Sequence, residues 1–193
     1  MKKLLLIPAF VLTLAASAQR PDVLIGNDYE SISGFGGVII SFSELGGDVA
    51  SYTGGGGAVL LDNAFYFGGY GVGLNDDKRV SIEGLEYDVD FSHGGFWMGY
   101  NMRPDKLVHL SISTKLGWGS IDYDPFDPGL DRFDDQVFIV TPQLEAEFNM
   151  THWFKLNIGA GYQQAIGVDD FFYNESDVSS PAASISLLFG WFY

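Results

Sequence analysis

Cysteine is absent from the 193 residues and cations are scarce, with ten Lys and Arg against 25 Asp and Glu for a formal charge of −15. Without thiols there is no disulfide framework, no thiolate metal site and no lipid-modified cysteine. The acidic excess excludes nucleic acid as a partner, because the few cations are dispersed and a phosphate backbone would be repelled. Helical signals are missing as well: few segments repeat apolar residues at three and four, and Gly interrupts nearly every apolar run. Beyond residue 18 no run of 18 apolar residues remains, so no membrane-spanning helix is expected there. Glycine and aromatic rings are plentiful, with 25 Gly, 16 Phe, 10 Tyr and 4 Trp, and the 47% apolar content excludes a disordered chain.

Met1 to Ala18 has the three parts of a secretory signal peptide. Lys2 and Lys3 supply the charged start, Leu4 to Ala16 the apolar stretch, and Ala16-Ser17-Ala18 the small-residue cleavage site. A membrane anchor would need about 20 apolar residues, and this stretch supplies roughly 13. The mature chain is expected to begin at Gln19 and to carry eight cations against 25 acids. Such a protein is exported, and it is either soluble or inserted by something other than helices.

The mature chain alternates with a period of two. In Ser184 to Tyr193, Ile185, Leu187, Phe189, Trp191 and Tyr193 share one face. From Asp135 to Asn149, Phe138, Val140, Pro142, Leu144, Ala146 and Phe148 oppose Thr141, Gln143, Glu145 and Glu147. Between Phe154 and Gln164, Phe154, Leu156, Ile158, Ala160 and Tyr162 oppose Lys155, Asn157 and Gln163. From Leu107 to Ser120, Val108, Leu110, Ile112, Leu116 and Trp118 oppose His109, Ser111, Ser113 and Lys115. Ser31 to Ser43, Thr53 to Leu61, Ala64 to Leu74 and Leu85 to Asn101 make four more strands; in the last, Leu85, Tyr87, Val89 and Phe91 oppose Glu86, Asp88, Asp90 and Ser92. Eight strands of this length predict an all-β, closed antiparallel up-and-down barrel over residues 31–193, preceded by a short segment 19–30. The connections alternate too. Leu61 to Asn63, Met102 to Lys106 and Met150 to Trp153 are short, whereas Glu44 to Tyr52, Asn75 to Gly84, Asp122 to Asp134 and Gly167 to Pro181 are long, which predicts short periplasmic turns and long external loops.

A soluble barrel turns its apolar face inward, and a lipid-embedded one turns it outward. Three features favour the second. Aromatics near strand ends (Trp97, Phe148, Phe154 and Trp191 on the short-turn side, Trp118 and Tyr162 on the other) suit two interfacial girdles. The opposite faces are small and polar with charges of both signs, so that Glu145, Glu147, Lys155, Lys115, Gln143 and His109 are expected as a polar network in a side-chain-filled lumen. Fifteen of the 25 acids lie between Glu44 and Asp48, Asp76 and Glu83, Asp122 and Asp135, or Asp169 and Asp177, in or beside the long connections and outside the bilayer.

With a terminal strand ending Phe189-Gly190-Trp191-Phe192-Tyr193, the chain resembles the small outer-membrane β-barrels of the OmpA/OmpX-like type. The resemblance implies an integral protein of the Gram-negative outer membrane in contact with lipid and lipopolysaccharide, expected as a monomer; the chain departs from full-length OmpA-like proteins in that no peptidoglycan-binding domain is expected after the barrel. It also implies that Leu187, Phe189, Trp191 and Tyr193 are read by the barrel-insertion machinery. A structural or surface-interaction role through acidic loops is expected, with no cofactor. The rivals are a lipid-modifying enzyme, a narrow solute or ion conduit, and a soluble periplasmic barrel with an apolar ligand.

Candidate chemistry is sparse. His109-Leu110-Ser111 places a base and a nucleophile on one strand face, and resembles the pair of PagL-type lipid A deacylases, with Asp122 nominally the acid. The pair belongs at the periplasmic end, away from outer-leaflet lipid, so a lumen hydrogen-bond role is expected instead. Asp122, Asp124, Asp127, Asp131, Asp134 and Asp135 crowd one connection in a spacing that matches no EF-hand loop, which predicts a solvated acidic surface rather than a metal site. The runs Gly54 to Gly57 and Gly68 to Gly73 lack the following helix that a phosphate cradle requires, and are expected to serve close packing. Phe171, Phe172 and Tyr173, with Phe126 and Phe133, are candidates for an apolar external tip, with interface anchoring as the alternative.

Overall fold

The computed structural model describes residues 31–192 except 83, 128 and 169–171. The expected signal peptide, the segment 19–30, Phe171 and Tyr193 lie outside the described residues. The described chain forms β1 (Ile32–Leu45), β2 (Asp48–Leu61), β3 (Phe65–Leu74), β4 (Lys78–Ile82), β5 (Leu85–Met102), β6 (Val108–Pro125), β7 (Phe133–Asn149), β8 (Phe154–Ile166), a single helical turn α1 (Glu175–Val178) and β9 (Ser180–Gly190). Eight of these strands close antiparallel, since β9 pairs with β1 and β3 with β5, while β4 only extends the outer end of β5. Among the described residues no helix is long and apolar enough to cross a membrane.

Closure sets the dimensions. One rung runs from Ile32 through Leu61, Phe65, Tyr100, Ile112, Leu144, Ala160 and Ala183 and returns to β1 at Phe42, ten residues above its start. With a strand rise of ~3.3 Å and a spacing of ~4.8 Å, that offset gives a tilt of roughly 40° and a backbone radius of roughly 8 Å. A cylinder this narrow fills with side chains.

The faces are inverted, as the alternation predicts for a lipid-embedded wall. Leu110, Ile112, Leu144, Ile158, Ile185 and Phe189 are exposed on the outside, whereas Glu147, Lys155, Asn157, Ser184 and Ser186 are each 3% exposed or less on the inside. On β6 the outward positions from Val108 to Trp118 carry no charge, a band of the height a bilayer core requires at this tilt.

Several connections differ from expectation. Glu44 to Tyr52 is not a long loop: β1 and β2 run on to a two-residue turn at Gly46 and Gly47, whose φ of 66° and 83° suits glycine at both positions. Asn75 to Gly84 contains β4, and β6 and β7 extend to Pro125 and from Phe133, well above the outermost β7–β8 pair, Phe138 with Ile166. The β7–β8 ladder skips Thr141 and Pro142, because proline has no N–H to donate.

Because Leu144 sits mid-band on the outer wall, Leu144→Arg should destabilise the barrel by about 2–4 kcal/mol. Urea unfolding in lipid vesicles measures this; an effect near zero would mean that this face does not touch lipid.

Candidate functional site

The lumen is the first place to seek function, and it is filled from end to end. At the short-turn end one wall is aromatic and the other ionic. Phe35, Tyr66 and Trp97 form a triangle with every ring pair at 5.5 Å and edge to face, an arrangement contributing about 0.5–1.5 kcal/mol per pair beyond burial. Glycines opposite make room for it: a Cβ on Gly56 would meet Trp97 Cε3 at 3.2 Å. Trp97 is therefore not an interfacial girdle residue. It points inward at 1% exposure, because in β5 it shares parity with His93 and Asn101 rather than with outward Phe96 and Tyr100.

Across the lumen, β6, β7 and β8 bring the ionic residues together. Glu147 Oε1 accepts from Lys155 Nζ at 2.6 Å and from His109 Nε2 at 3.0 Å. The other ring nitrogen of His109 faces the Lys106 carbonyl at 3.2 Å. Glu145 accepts from Ser113 at 2.6 Å, Asn157 at 2.9 Å and Tyr66 at 3.5 Å. Lys115 donates to Gln143 Oε1 at 2.8 Å. Phe192 lies on the inward face with Ser184, Ser186 and Leu188, where the alternation of the last strand puts it, and its ring, 4.4 Å from the Lys155 ammonium, floors the lumen. Beneath it a recess of about 580 Å³ opens among the short turns, lined by Asn63, Pro104, Asn149 and His152 among others.

These contacts remove the hydrolase geometry. Both nitrogens of His109 face acceptors other than Ser111, and Ser111 Oγ lies buried without a hydrogen-bond partner. Asp122 is on the outward face at the far end of β6. A base needs its nucleophile within hydrogen-bond reach, and this one is turned elsewhere.

At the outer end the alternation changes meaning. Leu85, Tyr87, Val89 and Phe91 do not continue the lipid-facing wall: they take the inward parity of β5, and Glu86, Asp88, Asp90 and Ser92 point out. Above the bilayer the strands meet water, so the apolar face is the one that must be covered. Phe172 covers it, at 4.3 Å from the Tyr123 ring and 5.3 Å from Tyr87. Tyr173 packs beside Gly46, and burial, reinforced by Asp177 and Asp48, holds its hydroxyl above its ordinary pKa. Phe172 and Tyr173 thus fold inward as a lid instead of forming an external tip. Phe126 is exposed under Arg79, and Phe133 packs toward Phe172.

The outward side of this extension is acidic. Asp90 pairs across strands with Asp122 and Asp122 with Asp134, and Asp88 with Asp124. Arg79 and Arg132 bridge to Asp88 and Asp124. Asp122, Asp124 and Asp134 are strand positions, Asp127 and Asp131 lie exposed in the turn, and Asp135 is not on the solvated surface at all: odd parity in β7 turns it inward, 6% exposed. A groove of about 260 Å³ gathers Asp76, Asp77, Asp88, Asp90 and Asp124. Among the described residues no group of three or more His, Asp or Glu is arranged to hold a metal ion.

On the wall, Trp118, Tyr162 and Trp191 are exposed and Phe148 and Phe154 half-buried. Phe189 stacks with Phe154 at 5.1 Å and with Trp153, a turn residue the alternation did not single out, at 6.1 Å. Leu187, Phe189 and Trp191 share the outer face.

An eight-stranded, sheared, inside-out cylinder with a filled lumen has recognisable counterparts. The fold is that of a small outer-membrane β-barrel. It is similar to the N-terminal β-barrel domain of Pseudomonas aeruginosa OprF, with a TM-score of 0.55 and 11% identity over 82% of this chain and 97% of that one. Neisserial surface protein A gives 0.53 at 10% identity over 84% and 97%. Ail of Yersinia pestis, in complex with the heparin analogue sucrose octasulfate, gives 0.51 at 15% identity over 83% and 96%. No protein-family model and no curated protein matches the sequence. Barrel geometry is thus shared with these OmpA/OmpX-type barrels, and the outer wall makes this chain an integral membrane protein.

Breaking the buried pair should be costly. Lys155→Met or Glu147→Leu alone should destabilise by about 3–5 kcal/mol, and the double variant by less than either single change. Urea midpoints of the refolded barrel measure this, and additive single effects would contradict it.

Proposed function

We propose that this chain is a non-enzymatic, monomeric protein of the Gram-negative outer membrane that works through its external surface and conducts nothing. The observation that carries the reading is the combination of a lumen filled by Trp97, Lys155, Phe91 and Tyr123 with an outward acidic sheet on β5, β6 and β7. Like charges directly opposite one another in a sheet are destabilising, so the rung Asp90, Asp122 and Asp134 is a cost to the isolated protein that a cationic partner offsets. Divalent ions between these carboxylates and lipopolysaccharide phosphates serve the same end. Ail takes a sulfated sugar; the sign of this surface favours the opposite class of ligand. Trp118 and Tyr162 mark the outer interface, Phe154 and Trp191 the inner one, and Leu187, Phe189, Trp191 and Tyr193 serve recognition by the insertion machinery.

Two measurements test this. In planar bilayers the purified protein should give no stable conductance steps; a reproducible open channel would overturn the filled-lumen role. Cells displaying the protein should bind polylysine in a salt-sensitive manner, and Asp90→Asn/Asp122→Asn/Asp134→Asn should weaken that binding several-fold. Unchanged binding would contradict a role for the acidic face.

A further inference from the structure

Above the membrane the acidic sheet ends in an open edge. Among the described residues β4 pairs with β5 alone. The Glu86 carbonyl accepts from the Phe126 N–H at 3.1 Å, so Glu86 faces β6, and the next residue, Tyr87, faces β4 and its partner Val80. Main-chain groups alternate sides along a strand, which turns the N–H and C=O of Arg79 and Ser81 away from β5 and into the open edge. Among the described residues no hydrogen bond from outside the ladder reaches them. The β1–β2 hairpin stops at their foot, where Lys78 reaches Asp48 at 3.6 Å.

Edge strands are commonly guarded by charged side chains. Here the cation at the edge is drawn back over the sheet: Arg79 lies 4.9 Å from the Phe126 ring and bridges to Asp88 at 3.3 Å. On the inner side Val80 is half-buried against the core, an apolar flank that an added strand would cover. On the outer side Glu86, Asp88 and Asp90 point out beside β4, and Asp76 and Asp77 line the groove at its foot. A second copy in the same membrane does not fit this edge. A two-fold axis along the bilayer normal would set strands tilted roughly 40° from it at roughly 80° to one another, against roughly 25° between sheet neighbours. Resting on the cationic-partner role above, we propose that the β4 edge docks an extended peptide of that partner as a further antiparallel strand. Its apolar side chains lie beside Val80 and its basic ones on the acidic face.

The probe is a labelled peptide alternating Lys and Val, titrated against the full barrel in nanodiscs of zwitterionic lipid. In an antiparallel addition the lysines lie opposite Arg79 and Ser81, so their main-chain N–H groups face the edge and those of the valines face away. Methylating the lysine main-chain nitrogens should weaken binding by about tenfold or more, and methylating the valine nitrogens should not. Ser81→Pro removes an edge N–H and none from the β4–β5 ladder; it should weaken the unmodified peptide and leave polylysine binding unchanged. Equal binding of all three peptides, loss confined to methylated valines, or no binding of the unmodified peptide would overturn the proposal. Polylysine reports the acidic face separately. If it binds while the peptide ignores methylation, the edge proposal falls and the cationic-partner reading stands; if neither binds, both fall.

Discussion

A bilayer core offers no hydrogen-bond partners, and the rest of this structure follows from that constraint. Every backbone N–H and C=O in the spanning region must be paired within the protein, which, with no spanning helix among the described residues, means a closed sheet. Closure comes from β9 meeting β1, Phe35 to Phe42 against Ala183 to Gly190. Once the sheet is closed with a ten-residue offset, radius, tilt and lumen width are set together, and the choice left to the sequence is what to place on each side of the wall.

Inside, the solution is steric on one half and electrostatic on the other. β1, β2, β3 and β5 contribute large rings fitted against glycine backbone, as Trp97 against Gly56. β6, β7, β8 and β9 contribute Glu145, Glu147, Lys115, Lys155 and their neutral partners. Either half alone would leave a void or an uncompensated charge. Together they close the bore.

Much of this was legible in the chain because period-two alternation survives wherever both environments stay constant along a strand. β7, β8 and β9 read correctly for that reason: Glu147 and Lys155 fall inside and Ile158 and Phe189 outside. β5 did not, since it crosses from lipid into water. Tyr87 and Phe91 alternate just as Leu110 and Ile112 do, yet face the opposite way, and periodicity carries no sign. Trp97 was misplaced because Phe96, Trp97 and Met98 are all apolar and give parity nothing to act on. The strands run on past Glu44 and Asp48, polar positions that read as loop, to the Gly46-Gly47 turn, and the inward fold of Phe172 depends on tertiary contacts with Tyr87 and Tyr123 that no local pattern encodes.

Two tryptophans lie on opposite sides of the same wall, Trp118 outward at 60% exposure and Trp97 inward at 1%. Variants retaining each as the sole tryptophan, reconstituted in vesicles of brominated lipid, read the orientation directly by fluorescence. Strong quenching of Trp118 and little of Trp97 is the expected result. Equal quenching of both, or quenching of Trp97 alone, would contradict an inside-out barrel.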